Sequence, residues 1–422
     1  MSAVFGLDFG TTNSTLAVNR GGDVRIMDID PTAPSATTLR SVLYFDRARK
    51  VFVGQEAIEH YLDDDARGRF MQSVKTLLSS KLFSSTVINN RPYALEDLVS
   101  FLLRTIKERG ESIIGESVDA VVLGRPAVFS ENEEENLLAE SRLRLSAEKA
   151  GFKSIVFQFE PIAAALAYEQ GLADGEEKKV LVGDFGGGTS DFTVIRLCGG
   201  ASFGRNRSTD ILSLCGVPVG GDVFDSEIMS HRLVSYYGAG AQYKGMRGQW
   251  MEVPANIFTT LSRWHLIPQL RERQQREHIR QIRASCDNRE AFERLEDLID
   301  NNYGFKLFQA IERAKCRLSS ENDARVVFSE LKSEIQETIT REDFEAMIAY
   351  DINKVEHSAE RALKDAGVTP ADIDVVFITG GSSYIPSIRR IFIKKFGQVK
   401  LASADAFTSV GYGLGIAASH VF

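Results

Sequence analysis

Asp8-Phe9-Gly10-Thr11-Thr12-Asn13-Ser14-Thr15-Leu16-Ala17-Val18 returns 176 residues later as Asp184-Phe185-Gly186-Gly187-Gly188-Thr189-Ser190-Asp191-Phe192-Thr193-Val194. The Asp, Phe, Gly, Ser and Val positions are identical. Each copy follows a short apolar run, Ala3-Val-Phe-Gly-Leu7 or Val180-Leu-Val-Gly183. Each therefore predicts a strand, a tight Gly/Thr turn and a second strand. A repeat at this period means two similar domains, not a solenoid array. Glycines without Cβ let the amides of a turn converge into an anion-binding concavity. Threonine hydroxyls add donors, and an aspartate at a strand end can hold a hydrated Mg²⁺. One such turn reads equally well as a plain β-turn. Two copies with matching acids favour a triphosphate gripped from both sides. The chain has no G-x-x-x-x-G-K-[ST], and its Gly-rich segments are not strand-to-helix turns, so a P-loop or Rossmann site is unsupported.

Composition narrows the class. The 422 residues suit two or three domains. Apolar residues make up 43% and charged residues 26%, ordinary for a globular chain and incompatible with wholesale disorder. Fifty Lys and Arg against 58 Asp and Glu give a net charge of -8, so no chain-wide attraction to nucleic acid or anionic membrane is expected. No apolar run approaches the roughly 18 residues of a membrane span. The N-terminus, with Asp8 and no basic region, does not read as a signal peptide. Cys198, Cys215, Cys286 and Cys316 are far apart, and the six histidines are scattered, which removes metal and redox spacings. A cytoplasmic location is expected.

Gly6-Leu-Asp-Phe-Gly-Thr-Thr-Asn-Ser14 and Gly183-Asp-Phe-Gly-Gly-Gly-Thr-Ser-Asp191 resemble the two phosphate signatures of the heat-shock protein 70 family, the DnaK-type chaperones. Further resemblances follow in the family's order: Ala120-Val-Val-Leu-Gly-Arg-Pro-Ala-Val-Phe129, Phe159-Glu-Pro-Ile-Ala-Ala-Ala-Leu-Ala-Tyr168, Val219-Gly-Gly-Asp-Val-Phe-Asp225, Glu312-Arg-Ala-Lys-Cys-Arg-Leu-Ser-Ser320 and Val376-Phe-Ile-Thr-Gly-Gly-Ser-Ser-Tyr-Ile-Pro386. The resemblance implies an α/β, actin-like ATPase fold of two ribonuclease-H-like lobes with a nucleotide cleft between them. Lobe I would be 1–170 plus 396–422 with an inserted subdomain at about 40–112. Lobe II would be 178–395 with an insert at about 226–308, joined through the polar segment 171–179.

By the same resemblance the ligands are ATP or ADP and Mg²⁺, with slow hydrolysis. Gly10, Thr11, Thr12, Asn13, Gly186, Gly187, Gly188 and Thr189 would hold the phosphates. Asp8 and Asp184 would hold the magnesium waters, with Asp191 nearby and Glu160 orienting the attacking water. Lys75 would place a charge by the γ-phosphate, with Lys81 the substitute if the alignment slips. Gly220, Gly221, Asp222, Glu312, Lys315, Ser319, Gly380, Gly381, Ser382 and Tyr384 would form the nucleoside side. Glu312, Lys315 and Ser319 share a helical face by spacing. Ser130 with Glu133 reads as a capping box, and the acidic run 131–135 crowds the helix's positive end.

The chain also departs from the family. The two arginines that enclose adenine are replaced by Cys316 and Tyr384, which leaves adenine or guanine open. A coupling arginine after Pro126 is replaced by Glu134. The chain stops at Phe422 with no peptide-binding half, similar to the YegD-type branch. Asp405 stays unassigned. The segment 242–303 is longer than the family's subdomain. It carries Arg271, Arg273, Arg276, Arg280, Arg283, Arg289 and Arg294 among acids, which reads as a salt-bridged exposed helix or else a protein-docking surface. Trp250, Phe258 and Trp264 belong to that surface or to its local core. A small-molecule phosphotransferase and a non-catalytic nucleotide-gated scaffold are the alternative functions; an actin-like filament is a weaker one. An unidentified protein partner and a monomer are expected, with no nucleic acid or membrane partner.

Overall fold

The computed structural model describes residues 2–64, 67–130, 132–200, 207–245, 247–330, 334–402 and 408–421. The chain forms two compact units, one of Met1–Pro218, Val355–Ser383 and Arg389–Phe422, the other of Val219–Lys354 and Tyr384–Ile388. The lobe boundaries implied by the resemblance concern a different division, that of the duplicated sheets.

The first unit carries the duplication. Its first sheet contains β1 (Val4–Phe9), β2 (Asn13–Arg20), β3 (Asp23–Ile26), β4 (Ala120–Arg125) and β5 (Ser154–Phe159), in the order β5-β4-β1-β2-β3. Its second contains β6 (Glu177–Phe185), β7 (Ser190–Cys198), β8 (Ile211–Val217), β9 (Val375–Thr379) and β10 (Leu401–Ala402), in the order β8-β7-β6-β9-β10. In each, three antiparallel strands adjoin two parallel ones. Asp8 lies opposite Thr15 and Phe9 opposite Ser14; Asp184 lies opposite Asp191 and Phe185 opposite Ser190. The repeat in the sequence is thus a repeat in register, residue for residue. Strand β6 begins at Glu177, so the polar connection ends three residues before the position read from sequence.

The strands are near-continuous apolar runs because helices cover both faces. On one face of the first sheet, helix α1 (Leu95–Ile114) buries Leu98, Leu102 and Ile106 and helix α2 (Glu133–Lys149) buries Leu143. The other core joins both sheets: Val4, Val122, Val180, Val182 and Ile195 pack with helix α3 (Glu160–Glu169) and the C-terminal helix Ser409–Val421. That last helix approaches backbone to backbone. A Cβ at Gly413 would lie 1.8 Å from the Ala163 carbonyl oxygen, and one at Gly6 would lie 2.2 Å from the Gly415 nitrogen. Glycine there is a packing requirement, although it weakens a helix in isolation.

Helix α2 is capped by Asn132, whose side chain accepts from the Glu135 amide at 3.2 Å. This corrects the Ser130 box. The Ser130 hydroxyl instead bonds the Glu135 carboxylate at 2.7 Å and accepts from the Asn132 amide. Glu133, Glu134 and Glu135 fill the first turn as expected; Glu131 lies outside the described residues.

The second unit contains a helix at Gly221–Ile228, a two-stranded ribbon at Gln242–Lys244 and Trp250–Glu252, and helices at Arg273–Ser285, Arg289–Asp300 and Gly304–Leu318. Arg276 pairs with Asp300, and Arg283 with Glu296 at 2.7 Å, so two of the seven arginines in 271–294 are spent on the neighbouring helix. Trp264 packs edge-on against Phe305 as local core, Phe258 is half-buried, and Trp250 is exposed beneath Lys244. Among the described residues no helix is long and apolar enough to cross a membrane.

Candidate active site

The site is assembled from strand ends of the first unit. Gly10, Thr11 and Thr12 form the turn between β1 and β2, with Asn13 opening β2; all four are half-buried. Ser41, which the sequence reading missed, fastens this turn. Its hydroxyl donates to the Gly10 carbonyl at 2.8 Å, its amide donates to the Thr12 carbonyl at 2.8 Å, and it meets the Ser14 hydroxyl at 3.0 Å. The second turn is closed by the Gly186 amide on the Thr189 carbonyl at 2.9 Å. The Thr189 hydroxyl donates to Asp191 at 2.8 Å. Gly187 and Gly188 are half-buried between them.

Asp8 and Asp184 are the last residues but one of β1 and β6, and Asp191 faces Asp184 from β7. Glu160 is the first residue of α3, where a carboxylate is favoured by the helix's positive end. Lys75, on a short turn at Val74–Leu77, donates to Glu160 at 2.8 Å, with side-chain exposures of 10% and 13%. Thr379, at the end of β9 and unassigned from sequence, donates to Asp184 at 3.0 Å. Lys81 lies elsewhere, at the surface, paired with Glu134 at 2.6 Å. Lys75 is therefore the lysine at the acids.

The electrostatics of this cluster are unbalanced. Burial, then Glu160, push the Asp8 carboxyl up to about 8 against the pull of Lys75. Burial, then Glu160, raise Asp184, opposed by the Thr379 hydrogen bond. Burial takes Asp191 up to about 6. Burial disfavours the Lys75 ammonium, but Glu160 and Asp8 outweigh it and hold its pKa above the ordinary value. Four carboxylates thus share one lysine, and a divalent cation fits the missing charge. Among the described residues no three His, Cys, Asp or Glu side chains stand close enough to ligate an ion directly. A cation held by Asp8 and Asp184 would keep part of its hydration shell.

Because Asp8 and Asp191 titrate higher in the folded chain than the ordinary 3.8, their contribution is fully present below that value. It is lost as pH rises through about 6 and about 8. In chelator, the urea midpoint is expected to fall between pH 5 and 8.5, and Asp8→Asn to flatten the upper part of that slope. A wild-type midpoint that does not change with pH would contradict this.

A cavity of about 290 Å³ adjoins the cluster, walled by Pro126, Phe129, Glu160, Asp184, Asp191 and Thr379 among others. Gly380 has φ +80°, and a Cβ there would lie 2.2 Å from the Phe185 carbonyl oxygen. The packing of β9 onto the second hairpin therefore requires this glycine. Gly381 begins a tight turn whose Ser382 is buried.

The remaining residues belong to the second unit. Gly220 precedes the helix that opens with Gly221 and Asp222. Lys315 is buried and donates to the Gly221 carbonyl at 3.0 Å and to Asp225 at 2.8 Å, with Asp225 pushed up by burial to about 7. Its ammonium thus ties the glycine turn to the helix Gly304–Leu318, a role that the shared helical face did not predict. Glu312 is half-buried, and Ser319 caps that helix. Cys316 and Tyr384 are exposed. Asp405 lies outside the described residues.

A family model described as Hsp70 protein matches residues 70–242 and 287–420, well over half of the chain. The first hairpin precedes the matched residues, so its assignment rests on sharing strand register with the second. The unmatched stretch between 242 and 287 holds most of the ribbon and the arginine-rich helix.

Proposed function

The chain belongs to the Hsp70 family of nucleotide-binding, chaperone-type ATPases, and from that premise we propose that it binds Mg-ATP between the two hairpins and hydrolyses it slowly. The observation that carries the reading is the buried Lys75–Glu160 pair among Asp8, Asp184 and Asp191 at the ends of two register-identical hairpins. In this reading the turns at Gly10–Asn13 and Gly186–Thr189 hold the phosphates, and Lys75 sets its charge by the γ-phosphate. Glu160 orients the attacking water, with Asp191 beside it. Asp8 and Asp184 hold the ion through its waters. Bound Mg²⁺ supplies charge neutralisation on the β and γ oxygens. Within the same unit, Gly381 and Ser382 are proposed for the nucleoside side.

Slow turnover is consistent with a water-orienting carboxylate whose oxygen is already engaged by the Lys75 ammonium in the resting chain. A cytoplasmic location is part of the proposal. Nucleotide state would alter a surface read by a protein partner, by differential contacts to ATP and ADP. The test is calorimetric titration with ATP and GTP, each with and without Mg²⁺. ATP is expected to bind at micromolar Kd or tighter with a strict magnesium requirement. Binding of neither nucleotide would sink the proposal, and preference for GTP would remove the adenine assignment.

A further inference from the structure

Glu160 is flanked by a second basic residue that the site description above does not use. Arg125 ends β4 and lies opposite Phe159, the residue immediately before Glu160. It is 8% exposed. Its guanidinium sits between the rings of Phe129 and Phe159, at 5.2 and 5.3 Å from their centroids. From there it donates to the Pro126 carbonyl at 3.1 Å, the Ala127 carbonyl at 3.4 Å and Asn136 at 3.2 Å, and it pairs with Glu140. Asn136 in turn accepts from the Phe129 amide at 2.8 Å. One buried cation therefore ties together the turn after β4, helix α2 and the residue that launches α3.

On the other side of the same strand end, Gly124 leaves the room that Glu160 occupies. A Cβ on Gly124 would lie 3.2 Å from Glu160 Cγ and 3.0 Å from Leu414 Cδ1. The turn Pro126–Ser130 and Glu160 also share the wall of one cavity. Burying a guanidinium between two phenylalanines is costly where an aliphatic side chain would fill the space, so its retention calls for a specific task. The planar fork, which stacks on rings while donating at its edge, suits the fixing of backbone and rings together.

We propose that Arg125 is a positioning residue: by clamping Phe159 and the Pro126–Phe129 turn, it fixes the Glu160 carboxylate in the orientation that directs water at the γ-phosphate. The proposal rests on the ATPase reading above. Arg125 donates to protein atoms, acts through Glu160, and touches no reacting group.

The test is single-turnover Mg-ATP hydrolysis and ATP affinity for wild type, Arg125→Leu, Arg125→Lys, Glu160→Gln and the double variant Arg125→Leu/Glu160→Gln. Arg125→Leu is expected to slow hydrolysis tenfold or more while ATP affinity stays within about twofold. Arg125→Lys should not rescue it, because an ammonium can neither stack on both rings nor bridge the same acceptors. In the Glu160→Gln background, loss of Arg125 should cost no further rate. An equal loss in both backgrounds would mean general damage to the fold and would overturn the positioning role, as would a wild-type rate in Arg125→Leu. Glu140→Gln loosens the clamp from its solvent side and is expected to slow hydrolysis about threefold. If Arg125→Leu does not fold, an unchanged rate in Glu140→Gln overturns the proposal. A wild type that hydrolyses no ATP removes the ATPase reading itself, and this inference with it.

Discussion

Replacing Lys75 by methionine is expected to lower single-turnover ATP hydrolysis by at least about a hundredfold, the scale seen when one preorganised charge aimed at a transition state is removed. Methionine keeps the length and apolar stem of lysine, so the change isolates the charge. In the resting chain the ammonium offsets Glu160 at 2.8 Å and also opposes the upward pKa shifts of Asp8, Asp184 and Asp191. Without it, Glu160 stands among three other acids without the ammonium that offsets its charge, and its carboxylate is no longer held in place. Hydrolysis should suffer more than binding, because both hairpins and the aspartates proposed to hold magnesium remain. A Lys75→Met variant within threefold of the wild-type rate would remove Lys75 from the mechanism. Equal losses in rate and affinity would mean that it serves uniform binding instead.

The largest stability effect is expected at Arg207. Its guanidinium donates to both oxygens of Glu169 at 2.6 Å and to Asp210 at 2.8 Å, and all three side chains are under 5% exposed. Glu169 closes helix α3 and also accepts from the Cys198 amide at the end of β7, at 3.0 Å. The network therefore pins the helix that begins with Glu160 to the second sheet. Arg207→Ala takes the compensating guanidinium from two buried carboxylates and should cost about 3–5 kcal/mol, the scale for breaking a buried pair from one side. Exchanging all three for apolar residues of similar volume should cost far less, because no uncompensated charge is left. Urea unfolding, with hydrogen exchange followed at α3 and β7, reads both variants. A single-variant cost below about 1 kcal/mol would show that water reaches the network and screens it.

These two residues mark the boundary of what the sequence discloses. The hairpins were legible because their chemistry is local: an acid at a strand end and glycines in the turn, stated twice at one offset. The duplicated strand order and register follow from that repeat. Lys75 and Glu160 are 85 positions apart, and composition alone reads Lys75 as a solvated lysine, so its place in the family's order and its apolar context were needed to bring them together. Arg207 meets Glu169 across 38 positions, and isolated charges in a sequence read as surface. Periodicity placed Lys315 on a face with Glu312 and Ser319 but could not say what that face meets, which is Asp225 and the Gly221 carbonyl. Ser130 failed as a cap because Asn132, two residues on, presents a side-chain acceptor to the Glu135 amide. The glycines of the last helix read as weak helix formers until the Ala163 carbonyl is found where a Cβ would stand.

The central claim is that the two hairpins and their acids hydrolyse ATP. Single-turnover hydrolysis of Mg-ATP by wild type, alongside Asp184→Ala, addresses it most directly. The account predicts slow, complete conversion of bound ATP to ADP by wild type, and loss of hydrolysis in Asp184→Ala. Bound ATP that persists unhydrolysed on the wild type would contradict it and leave a nucleotide-gated scaffold in its place.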